Sequence, residues 1–221
     1  MNYLIFIAVG ILSVAAVFIF CSRKGVADIG KPYKPYDDIA PYKGATLILM
    51  IIVCFAMALA IQISLYKNTS IINFVKLYGL FLIVLCAGIV DSKCRIIPNV
   101  LIIAGLFFRA GIYIYEVITV EEIKNIIIND LIGFAIGFVF LGIVSFISKG
   151  ALGFGDVKLF GVIGIISGSF CTYSTLLVSL VISLIVSVFN IARKKMGKKD
   201  SFPFGPCISI GYIIAILLTS Y

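Results

Sequence analysis

Long apolar runs separated by short polar segments make up most of this chain. A helix that crosses the hydrocarbon core of a bilayer, about 30 Å thick, needs about 20 mostly apolar residues. On that criterion the pattern predicts eight membrane-spanning segments. They are Asn2 to Phe20, Gly44 to Tyr66, Ile71 to Val90, Pro98 to Tyr115, Ile126 to Ile147, Val157 to Ser169, Tyr173 to Ile191 and Phe204 to Ser220. The predicted fold class is therefore all-α, a polytopic membrane protein in contact with the lipid bilayer.

The sixth segment, 157–169, has about 13 residues and is short for a full span. It contains Gly161, Gly164 and Gly168. Small residues at such spacing let helix backbones approach each other closely. The pattern predicts a tightly packed or partly inserted helix that lies against its neighbours.

Composition agrees with a membrane protein. Hydrophobic residues make up 62% of the chain and charged residues 13%, whereas soluble domains are roughly half apolar and a quarter charged. The formal net charge is +8. Because the basic residues lie in short clusters between apolar stretches, they are typical of membrane topology signals, and we expect no nucleic-acid partner.

The basic residues also predict an orientation. If the eight segments alternate, most of the 18 lysines and arginines fall on one side, with clusters in the loops 21–43 and 193–199. By the positive-inside rule this side is cytoplasmic and both termini lie outside. The same alternation places Asp91 and Asp156 at the cytoplasmic face. The acidic residues expected on the opposite side are Glu116, Glu121, Glu122 and Asp130.

The chain is expected to divide into two regions. Residues 1–70 would form an N-terminal two-helix membrane region with the cytoplasmic loop 21–43, and residues 71–221 a core of six helices. Positive charge follows the first segment instead of preceding it, and no small-residue cleavage site is evident. We therefore expect a retained helix in place of a removable secretion signal.

The residue types restrict the possible chemistry. The chain has no histidine, which excludes Ser-His-Asp and Cys-His catalytic pairs and histidine-ligated metal. Its cysteines form no CxxC pair, so no zinc site or dithiol redox motif is indicated. Carboxylates are the remaining acid-base groups, and no metal site is predicted.

Two carboxylates stand at helix ends. Asp91 ends the third segment, and Asp156 opens the sixth after Gly153 and Gly155. A helix N-terminus stabilises an anion by about 0.3–1 kcal/mol and a C-terminus disfavours it, which predicts Asp156 as the ionised partner. If the two approach each other, they should share one proton, the state in which an aspartic protease hydrolyses an amide.

Simpler interpretations stay open for each residue. Asp156 alone could be a helix N-cap, and Asp91 alone a charge at a membrane boundary. Lys158 could extend its amine to the membrane surface, or pair with Asp156 or a substrate carbonyl. The remaining aspartates, interpreted as solvated loop residues or caps, are Asp28, Asp37, Asp38, Asp130 and Asp200.

Three motifs in order resemble the type IV prepilin peptidases, a family of GxGD membrane aspartic proteases. They are Asp91 followed by Ile97, Pro98 and Asn99, then GFGDVKL at 153–159, then FPFGP at 202–206. The resemblance covers about 71–221. It implies that Asp91 and Asp156 are the catalytic pair and Gly153 and Gly155 the motif glycines. It also implies a site-shaping turn made by Pro203, Phe204, Gly205 and Pro206.

The family resemblance implies a substrate and a location. Such enzymes cleave the basic leader of type IV prepilins and pseudopilins after a glycine, at the cytoplasmic face of the bacterial inner membrane. Proteolysis needs no cofactor. Many members also methylate the new N-terminus with S-adenosylmethionine and often carry two CxxC pairs in a cytoplasmic loop, whereas the loop 21–43 has only Cys21. S-adenosylmethionine is expected only if methylation is retained.

Two other functions are alternatives to this interpretation. One is a GxGD intramembrane protease of other membrane stubs, but those enzymes carry a YD pair and a PAL motif, and here Val90 precedes Asp91. The other is a small proton-coupled transporter, since intramembrane carboxylates often mark ion pathways. Transport predicts carboxylates near the bilayer midplane and an internal repeat, and the sequence has neither feature.

Overall fold

The computed structural model describes residues 52, 56, 71–147, 152–192 and 203–219. Within these residues every element is helical. The elements are α1 (Ile71–Cys94), α2 (Asn99–Thr119), α3 (Ile123–Phe134), a π-helical segment (Ala135–Phe140), α4 (Leu141–Ile147), α5 (Phe154–Ala192) and α6 (Gly205–Thr219). The first predicted span, most of the second, and the basic loops 21–43 and 193–199 lie outside the described residues. The division at residue 70 stays a prediction.

Four helices are long and apolar enough to cross a membrane. They are Ile72–Ser92, Asn99–Thr119, Ile123–Ile147 and Phe154–Ala192, and a shorter apolar helix follows at Gly205–Leu218. The all-α, polytopic membrane fold is confirmed. The total of eight spans stays a prediction, because part of the chain lies outside the described residues.

The predicted sixth and seventh segments are two helices that meet at a kink at Gly168, and α5 denotes both of them together. There φ is 78° and ψ is −178°, a conformation that residues with a side chain rarely adopt. A β-carbon at this position would lie 2.2 Å from the Asn129 side-chain nitrogen. The new direction begins at Ser169, whose backbone N–H donates to Asn129 Oδ1 at 3.2 Å. The section before the kink is about 21 Å long at 1.5 Å per residue, shorter than a full span.

Glycines let α5 pack backbone to backbone against α3 and the π-helical segment. A β-carbon on Gly164 would lie 2.3 Å from the carbonyl carbon of Gly133, and one on Gly137 would lie 2.2 Å from the Phe160 carbonyl oxygen. A β-carbon on Gly161 would lie 3.1 Å from Phe138 Cβ. The tight packing predicted from the glycines of 157–169 is confirmed.

The hydrophobic core lies between α1, α5 and α6. Leu80 of α1, Ile163 of α5 and Ile208 of α6 are fully buried. The Tyr212 hydroxyl of α6, also buried, donates to the Leu77 carbonyl of α1 at 3.0 Å. This packing brings the C-terminal end of α1 together with the N-terminal ends of α5 and α6.

Candidate active site

Asp91 lies in the last turn of α1, with 6% of its surface exposed. The backbone N–H of Gly205, the first residue of α6, donates to Asp91 Oδ2 at 2.8 Å. The first N–H groups of a helix have no partner within the helix, and the helix dipole places positive charge there. Asp91 therefore occupies the N-terminal end of α6 although it belongs to the C-terminal end of α1.

Gly205 can approach Asp91 because it has no side chain. A β-carbon there would lie 2.7 Å from Asp91 Cβ and 2.9 Å from Oδ2. The neighbouring motif residues lie on both sides of Gly205 at the start of α6. Pro203 and Phe204 are half-buried and precede α6, and the Phe204 ring centre lies 6.3 Å from that of Phe160. Pro206 is the second residue of α6, where its missing N–H costs no helical hydrogen bond.

Asp156 is the third residue of α5, as the sequence places it, with 9% of its surface exposed. Its backbone N–H donates to the Gly153 carbonyl at 3.0 Å. A β-carbon on Gly153 would lie 2.9 Å from Asp156 Oδ2, so the glycine leaves room for the carboxylate above the turn. Asp156 Oδ1 is buried and has no hydrogen-bond partner among the described residues.

We call Asp91 and Asp156 the carboxylate pair. The negative charge of Asp91 acts electrostatically on Asp156, so α1 and α5 bring the two groups into one site. Both carboxylates lie at helix N-termini, Asp156 at its own helix and Asp91 at α6. Helix position therefore does not single out Asp156 as the ionised partner, contrary to the basis of that prediction. Like charges in one buried site favour one shared proton.

The segment between α1 and α2 connects the two halves of this site. Arg95 has a φ of 55°, and its N–H donates to the Asp91 carbonyl at 2.8 Å. A β-carbon on Gly155 would lie 3.2 Å from Ile97 Cβ. The second motif glycine thus allows α5 to begin against the segment that follows Asp91.

The described contacts of Lys158 are with residues outside the carboxylate pair. Its amine donates to Asn99 Oδ1 at 3.1 Å and lies 5.4 Å from the Phe154 ring centre. Asn99 is the first residue of α2. Lys158 therefore joins the starts of α5 and α2, and the described ion pairs do not connect it to Asp156.

A second group of ionisable side chains, three of them buried, was not predicted. We call it the charged cluster, and it consists of Lys76, Arg109, Tyr113, Glu116 and Asp130. The interpretation of Asp130 as a solvated residue or cap is wrong, because 2% of its surface is exposed. Glu116, expected beyond the membrane, is 2% exposed as well. The signal that could have found the cluster is Arg109, a charge in the middle of an apolar span.

Ion pairs hold the cluster together, while Arg109 Nε and Nη1 and Glu116 Oε2 have no hydrogen-bond partner among the described residues. Arg109 binds Asp130 and lies 2.9 Å from Glu116 Oε2 as an ion pair. The Tyr113 hydroxyl donates to Asp130 Oδ2 at 2.8 Å, and the Lys76 amine donates to Glu116 Oε1 at 3.2 Å. Two cations face two carboxylates, so this site is formally neutral.

Comparison with known proteins agrees with the motifs. The profile of the type IV leader peptidase family matches residues 77–188, about half of the chain. A prepilin leader peptidase/N-methyltransferase of Bacillus subtilis (strain 168) is 28% identical over 135 residues, which cover 61% of this chain and 52% of that protein. The chain thus spans about half the length of this curated relative. No solved structure matches. The chain belongs to the type IV leader peptidase family.

Proposed function

We propose that this protein is an aspartic endopeptidase of the bacterial inner membrane that removes the basic leader of type IV prepilins or pseudopilins. Asp91 and Asp156 are its catalytic residues, and the cut follows a glycine at the cytoplasmic face. Family membership supports the substrate class. The observation that carries the mechanism is the carboxylate pair itself: two buried, electrostatically interacting carboxylates, each beside a glycine of a family motif.

The carboxylate pair can perform both proton transfers of amide hydrolysis. The ionised carboxylate takes a proton from water as the water oxygen attacks the scissile carbonyl carbon. The protonated carboxyl gives its proton to the carbonyl oxygen, and a tetrahedral diol forms. The C–N bond then breaks as the carboxyl that took the water proton gives it to the nitrogen, while a diol hydroxyl returns its proton to the other carboxylate and the carboxyl product is released. The pair again holds one proton, so it is ready for another turnover.

The position of the pair suits a substrate that enters from the membrane surface. Both carboxylates lie at helix ends, near Arg95 and Lys158. The positive-inside rule favours the cytoplasmic side for a surface rich in lysine and arginine. A glycine before the cut suits the site because a residue without a side chain can be extended between two carboxylates at little steric cost.

N-methylation of the product is a second candidate activity. The name of the Bacillus subtilis relative includes N-methyltransferase, which favours it. The loop 21–43 lacks the CxxC pairs that many family members carry there, which argues against it. The donor would be S-adenosylmethionine, whereas proteolysis by a carboxylate pair requires no cofactor.

The proposal is tested by co-expressing a candidate prepilin with the wild-type enzyme or with Asp91→Asn or Asp156→Asn. Leader removal is followed by gel shift, and the mass of the product N-terminus reports the cut site and any methyl group. Both variants should give uncleaved prepilin at wild-type enzyme levels. The matched control is Glu121→Gln, an exposed carboxylate between α2 and α3, which should cleave normally. Wild-type cleavage by either aspartate variant would rule out the catalytic pair.

A further inference from the structure

Ser145 is a buried polar residue that belongs to neither the carboxylate pair nor the charged cluster. It lies in α4, with 8% of its surface exposed. A serine within a helix commonly donates to the carbonyl four residues earlier, as Ser167 of α5 does to the Ile163 carbonyl at 2.8 Å. The Ser145 hydroxyl donates at 2.8 Å to the carbonyl of Leu152, seven residues later and outside its own helix. It therefore joins two separate parts of the chain.

The carbonyl that Ser145 holds lies directly before the GFGD turn, residues 153–156. Gly153 follows Leu152, and the Gly153 carbonyl accepts the backbone N–H of Asp156 at 3.0 Å. A β-carbon on Gly153 would lie 2.9 Å from Asp156 Oδ2, so the backbone of this turn lies close to the carboxylate. One hydrogen bond to Leu152 and one within the turn thus connect the Ser145 hydroxyl to Asp156.

The π-helical segment gives α4 the rotation that turns Ser145 toward the start of α5. Buried positions along this side recur every four residues, at Gly133, Gly137, Leu141 and Ser145. In a regular α-helix three such steps would carry Ser145 about 120° round the axis from Gly133. The wider turn of π-helical hydrogen bonding offsets this rotation, and such turns are frequent at functional sites. A β-carbon on Gly142 would lie 3.8 Å from Val157 Cγ1, so α4 runs beside the first turn of α5.

We propose that Ser145 is a positioning residue, whose hydrogen bond to the Leu152 carbonyl fixes the GFGD turn and with it the place of the Asp156 carboxylate. This inference rests on the proposed function. Removing the hydroxyl should slow the chemical step without weakening substrate binding, because Asp156 acts on the scissile bond. A serine that only satisfies a buried carbonyl would change stability and leave the rate of the folded enzyme unaltered.

The test compares Ser145→Ala, Ser145→Thr and the control Ser167→Ala with wild type, as purified full-length protein in detergent with a prepilin substrate. Both alanine variants remove a hydroxyl that donates to a backbone carbonyl at 2.8 Å, so their thermal midpoints should differ little. In Ser145→Ala alone, kcat should fall on the order of tenfold with KM unchanged, because a displaced catalytic group slows the reaction. Ser145→Thr keeps the hydroxyl and should restore most of kcat.

Amide hydrogen exchange provides a second measurement that does not depend on cleavage. Ser145→Ala should speed exchange in a peptide that covers residues 153–159, because the GFGD turn loses an anchor and opens more easily. Ser167→Ala should leave exchange in the same peptide at the wild-type rate. Unchanged exchange in Ser145→Ala would show that the hydrogen bond does not hold the turn, and the proposal would be wrong.

Four kinetic results would also overturn the proposal. They are wild-type kcat in Ser145→Ala, a raised KM with unchanged kcat, an equal loss of kcat in Ser167→Ala, and a folded Ser145→Thr that stays as slow as Ser145→Ala. Asp91→Asn and Asp156→Asn are measured in the same assay. If these are inactive while Ser145→Ala has wild-type kcat, the inference on Ser145 alone is wrong. If they cleave normally, the proposed function itself is wrong.

Discussion

Two buried pairs of acidic residues occupy the same helical bundle, and their surroundings differ. Glu116 and Asp130 are each 2% exposed, and Asp91 and Asp156 are 6% and 9% exposed. The first pair faces cations. In the second pair, Asp91 accepts a hydrogen bond from the Gly205 N–H. Asp156 Oδ1 has no hydrogen-bond partner among the described residues. Burial alone therefore does not distinguish the two sites; the cations that pair with Glu116 and Asp130 do.

Under the proposed function, the charged cluster is a structural site and the carboxylate pair a catalytic one. A buried carboxylate held by a cation and a hydroxyl has its lone pairs occupied, and removing one partner leaves an uncompensated charge. Two interacting carboxylates in one buried site with few donors retain the capacity to exchange a proton with a substrate. We expect substitutions in the charged cluster to affect stability, and substitutions around the carboxylate pair to affect rate.

The largest effect on stability is expected for Asp130→Asn. It leaves the buried Arg109 guanidinium with an unbalanced charge, so the free energy of unfolding should fall by about 3–5 kcal/mol. Unfolding in mixed detergent micelles measures this. The double variant Arg109→Met with Asp130→Leu should recover much of the loss, since apolar residues can replace a buried ion pair. Unchanged stability in the single variant would mean that the cluster is solvated.

The next effect concerns the carboxylate pair. In Gly205→Ala the new methyl group would lie 2.7 Å from Asp91 Cβ, so α6 must move and the N–H donor with it. The cleavage rate should fall about 100-fold, the loss typical of a misplaced catalytic group. Gly111→Ala is the matched control, because nothing lies within 4 Å of a β-carbon there. Equal rates for the two alanine variants would contradict the described contact.

A smaller effect is expected where α3 meets α5, between the two regions. Gly164→Ala would place a methyl group 2.3 Å from the Gly133 carbonyl carbon. Forcing these backbones apart should lower the free energy of unfolding by about 1–3 kcal/mol, the usual cost of overpacking. The thermal midpoint relative to Gly111→Ala measures it. No shift would show that α3 and α5 are farther apart than described.

The smallest effect is expected for Asn99→Ala. It removes the acceptor of Lys158, a hydrogen bond that is solvent-exposed. The loss in the free energy of unfolding should be at most about 0.5–1.5 kcal/mol. Lys76→Met provides the comparison at the charged cluster, where the lysine is bonded to buried Glu116, and it should destabilise more. If Asn99→Ala destabilised the protein more than Lys76→Met, the distinction between the two regions would be wrong.

Local sequence patterns predicted the described helices and the places of Asp91 and Asp156 at helix ends, because those features are local. The apolar runs located α1, α2 and α6, and the run GFGD placed Asp156 in the first turn of α5. The contact between Gly205 and Asp91 joins residues 114 positions apart, so no local pattern contains it. The prediction that FPFGP shapes the site rested on the family resemblance alone.

The charged cluster was not predicted for the same reason, because its contacts join residues distant in the sequence. Glu116 and Asp130 follow or interrupt apolar runs in a way that also suits a solvated loop, and only helix packing decides between the two. The kink at Gly168 was partly visible, because the predicted segments 157–169 and 173–191 divide α5 close to it. Hydropathy reports the apolar residues and not the direction of the backbone.

One experiment tests the separation of chemistry from structure directly: cleavage rate and thermal midpoint measured in parallel for purified Asp156→Asn and Asp130→Asn. Asp156→Asn should lose cleavage by about 1000-fold or more, as for removal of a general acid-base group, while its midpoint stays at the wild-type value. Asp130→Asn should lose stability, and its folded fraction should cleave near the wild-type rate. An Asp156→Asn enzyme that cleaves like wild type, or an Asp130→Asn enzyme that is fully stable but inactive, would contradict the assignment.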